Sequence, residues 1–202
     1  MTTRTVRTPR DAARHSSKDR RFPGWRWAAV GFAFPIAGYI GWGISGPVDA
    51  VGAALLGGAL TGAGLGAVQW WAARETFGPA GSWIGTSAAG YAVGLAAGAA
   101  LVGYGTDLGE LALMGLVSGA VLGVMQAVTL ARIGNTRLAA AWGAAMPALL
   151  ALGWCASTAI GISVEDQFTV FGAAGALLFT LLSALVLARF GSPLPGRSSP
   201  RA

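Results

Sequence analysis

Three polar side chains stand at matching places inside otherwise apolar stretches of this 202-residue chain: Gln69, Gln126 and Ser183. Gln69 ends a row of glycines, Gly58-x3-Gly62-x3-Gly66-x2-Gln69, and fifty-seven residues later the row returns as Gly115-x3-Gly119-x3-Gly123-x2-Gln126. After another fifty-seven it recurs in weakened form as Gly172, Ala176, Thr180 and Ser183. A carboxamide both donates and accepts hydrogen bonds, so in apolar surroundings it either ties helices together or holds a small polar ligand or a lipid headgroup. The chemistry on offer here is binding.

Groups that could transform a substrate are placed less favourably. His15, the only histidine, lies in a polar N-terminal tail. Cys155 is the only cysteine, which excludes an intramolecular disulfide and a paired-cysteine metal site, and with no histidine near it in the sequence it reads as a small packed hydrophobe. Asp107 with Glu110, and Glu165 with Asp166, read as solvated loop charge, with a weak cation site as the alternative. Gly62-x-Gly64-x-x-Ala67 fits a loose dinucleotide pattern, but that pattern needs a preceding strand and an exposed helix start, and here it falls in the middle of an apolar run. Proton relays and ion pathways are usually marked by ionisable groups inside the membrane, and the interiors of these runs lack them. The residues therefore assign no catalytic, metal or cofactor role, and the chain reads as a non-enzyme.

The elements that must position Gln69, Gln126 and Ser183 follow from composition. Only 11% of residues are charged and 54% are hydrophobic, with 32 glycines and a mean hydropathy of +0.59, whereas a soluble domain carries about 25% charged residues. A helix crosses a bilayer with about 20 apolar residues. Six such runs are predicted, at 26–45, 50–73, 82–104, 109–131, 138–161 and 168–188, with charge only at their edges. Trp27 and Gly38, Trp83 and Gly94, and Trp142 and Gly153 each stand eleven residues apart, three helical turns, so the odd-numbered runs repeat as well. The prediction is an all-α integral membrane protein of six transmembrane helices, built as three tandem two-helix hairpins with a period of about 57 residues.

The net charge of +6 is a sign of orientation, and a nucleic-acid partner is not implied. Seven basic residues precede the first run, and Arg74, Arg132, Arg137, Arg189, Arg197 and Arg201 fall at the same end of the bundle, opposite Asp49, Asp107, Glu110, Glu165 and Asp166. The positive-inside rule then puts both termini in the cytoplasm. Residues 1–24 read as a disordered basic tail that helps fix orientation, with adhesion to anionic lipid as the alternative, 25–189 as the membrane domain (repeats at about 25–74, 82–132 and 138–189), and 190–202 as a short disordered tail. Trp25, Trp27, Trp70, Trp71, Trp83 and Trp142 suit the headgroup level at the inner interface, and Trp42 and Trp154 the outer one. Pro35 and Pro147 fall within runs and are expected to kink them.

No hydrophobic effect drives helices together in lipid, so glycine, which lets backbones approach, becomes the packing residue. Gly58, Gly62, Gly66, Gly115, Gly119, Gly123, Gly172 and Ala176 are the expected helix-packing positions. The Gly-x3-Gly-x3-Gly-x2-Gln-Trp run ending at Arg74, with Trp83 opening the next helix, resembles uncharacterised small multi-pass membrane proteins of bacteria. The resemblance covers about residues 26–189 and departs where Trp70 becomes Ala127 and glutamine becomes Ser183. It implies the fold and a bacterial cytoplasmic membrane, and no activity. The expected function is that of a structural or interaction module that packs against membrane lipid, a partner protein or a second copy; the alternative is a permease or channel for a small neutral solute.

Overall fold

The computed structural model describes residues 24–161 and 166–192. His15, Glu165 and most of both predicted tails lie outside them. The described residues form six helices, α1 (Gly24–Ser45), α2 (Val51–Phe77), α3 (Ala80–Leu101), α4 (Leu108–Arg132), α5 (Thr136–Ala159) and α6 (Ala173–Phe190). All six are long and apolar enough to cross a membrane. Helices suit that setting because every backbone group finds its partner within the segment, where no water is present to supply one.

Each helix packs antiparallel on its neighbours in the chain, and α6 packs back on α1, so the six close into a ring. The tightest seams lie between α2 and α3 and between α4 and α5. A β-carbon added at Gly58 would lie 2.9 Å from the Ala92 Cα, and one at Gly66 would lie 2.7 Å from the Ser87 Cβ. At Gly62 it would run into the Ser87 carbonyl. Likewise Gly115 faces the Ala151 backbone at 2.8 Å, Gly119 faces Pro147 at 2.7 Å and Gly123 faces Met146 at 2.7 Å. Both glycine rows are thus turned onto the backbone of the following helix within the same chain.

A second row, Gly90, Gly94 and Gly98 on α3, meets Leu122, Ser118 and Met114 of α4 in the same way. On the outside of the ring the exposed side chains are apolar, with Phe32, Ile36 and Ile40 running down α1 and Leu177, Leu181 and Leu185 down α6. That fourfold spacing keeps these exposed apolar side chains on one face of each helix.

Three features differ from the sequence expectation. First, Trp27, Trp83 and Trp142 are fully buried inside the ring instead of standing at a headgroup boundary, and Trp154 is buried as well. An indole near the end of a span satisfies the same amphipathic pattern whether its neighbours are headgroups or other rings, so position alone does not separate the two. Second, helix α6 begins at Ala173, and residues 168–172 enter the ring as non-helical chain. Their apolarity reflects protein interior: Thr169, Val170 and Phe171 are buried. Non-helical backbone at this depth survives only where protein surrounds it.

Third, α2 continues past the expected 73 to Phe77, but its helical backbone breaks at Ala73 (φ −133°, ψ 36°). The break redirects the last turn and carries Phe77 into the ring, where it is fully buried. The Trp70 indole N–H donates to the Gly78 carbonyl at 3.0 Å and pins the end of that turn.

Candidate functional site

The fully buried rings at the end of the bundle where α1 begins form a platform. Trp27 and Trp142 meet edge to face at 6.2 Å, Trp83 and Trp142 at 6.0 Å, and Phe77 lies flat on Trp83 with centroids 3.8 Å apart and planes 3° from parallel. Aromatic pairs of these geometries contribute about 0.5–1.5 kcal/mol beyond their buried area. An indole carries a donor that needs an acceptor once buried, and this need brings Gln126 and Ser183 to the platform.

The Trp142 N–H donates to Gln126 Oε1 at 2.7 Å, and Gln126 Nε2 donates to Ser87 Oγ at 2.8 Å. Ser87 in turn donates to the Trp83 carbonyl at 2.8 Å. Both ends of the Gln126 carboxamide are therefore engaged. On the other side the Trp27 N–H donates to Ser183 Oγ at 3.1 Å, while the Ser183 hydroxyl donates to the Thr180 carbonyl at 3.2 Å.

These two bonds share one rule: the tryptophan of a hairpin reaches the polar residue that ends the hairpin before it, taken around the ring. Trp142 on α5 reaches Gln126 on α4, and Trp27 on α1 reaches Ser183 on α6. By the same rule Trp83 on α3 belongs with Gln69 on α2. Here the bond is not made. Trp83 Nε1 and Gln69 Oε1 are both buried without a hydrogen-bond partner, although Gln69 is only 4% exposed and Trp83 not at all. An unpaired buried polar atom costs about 1–3 kcal/mol.

The structure thus places all three predicted polar residues on one level of the ring, with Gln126 and Ser183 engaged by tryptophans and Gln69 left with capacity to bind. Gln69 and Gln126 line a cavity of about 20 Å³ together with Ser87, Tyr91, Phe171 and Phe179. Space for one water requires about 10–15 Å³.

Val170 and Phe171 of the non-helical segment before α6 also line the cavity. Thr169 Oγ1 donates to the Gly38 carbonyl at 3.1 Å and lies 2.7 Å from Thr61 Oγ1, and the Tyr91 hydroxyl donates to the Thr169 carbonyl at 2.7 Å. Nearer the loops, the Val48 N–H donates to the Gln167 carbonyl at 2.9 Å, and Gln167 Nε2 donates to the Tyr104 carbonyl at 2.8 Å. The segment is held at several points along its length, as a plug.

Phe77, Ser87, Tyr91 and Thr169 are the site residues that sequence reasoning missed. One signal is present for three of them: each occupies a position at which the hairpins differ. Eight residues after the polar residue stand Phe77, Gly134 and Gly191; four after the tryptophan stand Gly31, Ser87 and Met146; eight after it stand Pro35, Tyr91 and Leu150. Ser87 and Tyr91 line the cavity beside the shared Gln69 and Gln126.

The other sequence candidates lie elsewhere. Gly172 is the residue preceding α6 and is half-buried, while Gly175, one turn on, is the glycine pressed against the Gly153 carbonyl of α5. Ala176 is buried, and its carbonyl accepts from Thr180 Oγ1 at 2.7 Å. Glu110 Oε2 accepts the Asp107 backbone N–H at 2.9 Å, so this carboxylate serves the start of α4. Cys155 is a half-buried free thiol on α5.

Neither family models, curated proteins nor solved structures match the chain. Function therefore rests on the ring and its contents alone.

Proposed function

We propose that this is a non-enzymatic multi-pass protein of the bacterial cytoplasmic membrane, a self-contained structural module that meets lipid, a partner protein or a second copy across its apolar exterior. The observation that carries this reading is the direction of the glycine rows, which are used up in seams of the chain's own ring. What remains for an outside partner is the broad apolar surface of α1 and α6, suited to lipid or to another membrane helix. Three tandem hairpins with both termini on the cytoplasmic side are part of the same proposal. Its support is the charge alternation of the connecting segments and the matched spacing of Trp27, Trp83 and Trp142.

Extraction of the protein from membranes in polymer-bounded discs, followed by native mass measurement, tests the proposal. The expected result is the 20.3 kDa chain with a stoichiometric companion, whether lipid, a second copy or another protein. A bare chain that exchanges its lipids freely contradicts it.

A second reading, a permease for a small neutral solute, is favoured by one observation: Gln69 faces a cavity inside the ring with an unused acceptor. Val170 and Phe171 of the segment before α6 line the same cavity, so a transported solute would have to pass them. Swelling or shrinkage rates of proteoliposomes no faster than those of empty liposomes would exclude it.

A further inference from the structure

We infer that Arg26, set against the exposed indoles of Trp25 and Trp71, binds the phosphate of one anionic phospholipid whose acyl chains lie along the outer face of α1. The inference rests on the reading of the chain as a membrane module and deepens it by naming lipid as the companion.

Four observations carry it. The first is register. Gly64 of α2 faces Ala37 of α1, and Gly41 of α1 faces Gly57 and Thr61 of α2, so toward the other end of this antiparallel seam Arg26 comes level with the last turns of α2. There the Arg26 guanidinium carbon lies 6.0 Å from the centre of the Trp71 ring and 5.4 Å from that of Trp25. Both distances suit cation–π contact, and an arginine held by rings still has N–H groups to offer, which match a phosphate two at a time. The second is unmet demand. Arg26 Nε is buried without a hydrogen-bond partner. Among the described residues Glu75 is the one acid at this end of the ring, and it is paired with its neighbour Arg74 at 3.5 Å. Arg26, Arg132, Arg137 and Arg189 at the same end are left to favour a lipid with net negative charge over a zwitterionic one.

The third is that the cluster belongs to one hairpin. The positions of Trp25, Arg26 and Trp71 are held by Gly81, Ser82 and Val128 in the second hairpin and by Ala140, Ala141 and Leu185 in the third. The shared framework forms there without these side chains, so its packing does not account for them. The fourth is the surface beside the cluster. Trp25 and Ile36 stand eleven residues apart, three helical turns, and so share a face of α1 with Phe32 and Ile40. All four are exposed. A lipid with its phosphate at Arg26 covers this apolar row with its chains, whereas a soluble phosphate leaves the row bare.

The experiment uses the full chain in detergent with phosphatidylglycerol as the probe, and native mass spectrometry counts the lipid retained. The parent is expected to retain one phosphatidylglycerol in preference to phosphatidylcholine, and inorganic phosphate at the same concentration should not displace it. Arg26→Gln should weaken retention about fivefold, the effect of one basic residue beside anionic lipid, with the unfolding temperature in lipid-free detergent unmoved. Arg132→Gln makes the same charge change at the same end, on α4, whose neighbours are α3 and α5, and should leave retention as in the parent. Trp71→Leu, which gives α2 the residue of the third hairpin, should weaken retention in the same direction as Arg26→Gln. If Arg26→Gln does not fold, Arg26→Lys keeps the charge, loses the paired N–H groups and should still weaken retention.

Equal retention by the parent and Arg26→Gln overturns the inference, as does an equal fall in Arg132→Gln, which is attraction to the basic end as a whole. Displacement by inorganic phosphate overturns it too, because the acyl chains then contribute nothing. The disc measurement judges the membrane-module reading separately. A protein companion or a second copy in the discs, with equal retention in Arg26→Gln, keeps the reading and ends the inference; lipids that exchange freely in the discs, with retention lost in Arg26→Gln, do the reverse.

Discussion

Trp142 with Gln126 and Trp83 with Gln69 are the same two residue types on the same level of one ring, and they behave differently. The first pair is bonded at 2.7 Å and extended through Ser87. The second has a buried indole N–H and a buried amide oxygen without partners. Their neighbours differ too: Phe77 lies flat on Trp83 but edge-on to Trp142, and Ser87 takes up Gln126. Residue type at a repeated position therefore sets what a side chain is able to do, and the unrepeated residues beside it decide whether the chain itself uses that capacity.

The comparison can be broken at its scaffold or sharpened at its polar level. The largest effect is expected for Gly119→Leu, where even a β-carbon would lie 2.7 Å from the Pro147 Cα and would collide with the Met146 carbonyl. Overpacking against backbone that has no room to give should cost about 3 kcal/mol or more, read as a lower unfolding temperature in detergent. Gly85→Leu, which meets nothing within 4 Å, is its control and should stay within about 0.5 kcal/mol of the parent.

Next is Phe77→Ala. It removes a fully buried ring from the platform, and large-to-small changes of this kind cost about 3 kcal/mol where the site cannot collapse. Here the cost should be partly offset by a new Trp83–Gln69 bond, visible as a shift of one indole resonance. Gln126→Leu strands the Trp142 N–H and should cost about 1–3 kcal/mol in the same unfolding assay. Gln69→Leu should cost under about 1 kcal/mol, because no direct protein bond is lost. The smallest effect is expected for Thr169→Val, which removes a hydroxyl shared with Thr61 and Gly38 and should loosen the plug by about 0.6 kcal/mol. Faster hydrogen exchange at residues 166–172 would report it.

Much of the framework is legible in the amino-acid sequence. Long apolar runs specify six helices because hydropathy responds to the lipid and protein surroundings that helices Gly24–Ser45 to Ala173–Phe190 share. The rows ending in Gln69 and Gln126 indicate close approach, since glycine at every fourth position has few other uses in a membrane helix. The same average misleads at two places. Residues 168–172 are as apolar as a span, yet Val170 and Phe171 fill protein interior and Thr169 bonds there. Trp27, Trp83 and Trp142 carry the pattern of an interfacial belt, yet they face one another. Hydropathy cannot tell lipid from packed protein, because both are apolar. The ring platform is the least legible part, since it includes Phe77, which lies beyond the expected end of its run and follows the backbone break at Ala73.

A pair of double-mutant cycles in one unfolding assay tests the central contrast most directly. One combines Trp142→Phe with Gln126→Leu, and the other combines Trp83→Phe with Gln69→Leu. A bonded pair should show a coupling of about 0.6–2 kcal/mol, and a pair that does not touch should show a coupling near zero. The structure predicts coupling for Trp142 with Gln126 and none for Trp83 with Gln69. Equal coupling in the two cycles would contradict it.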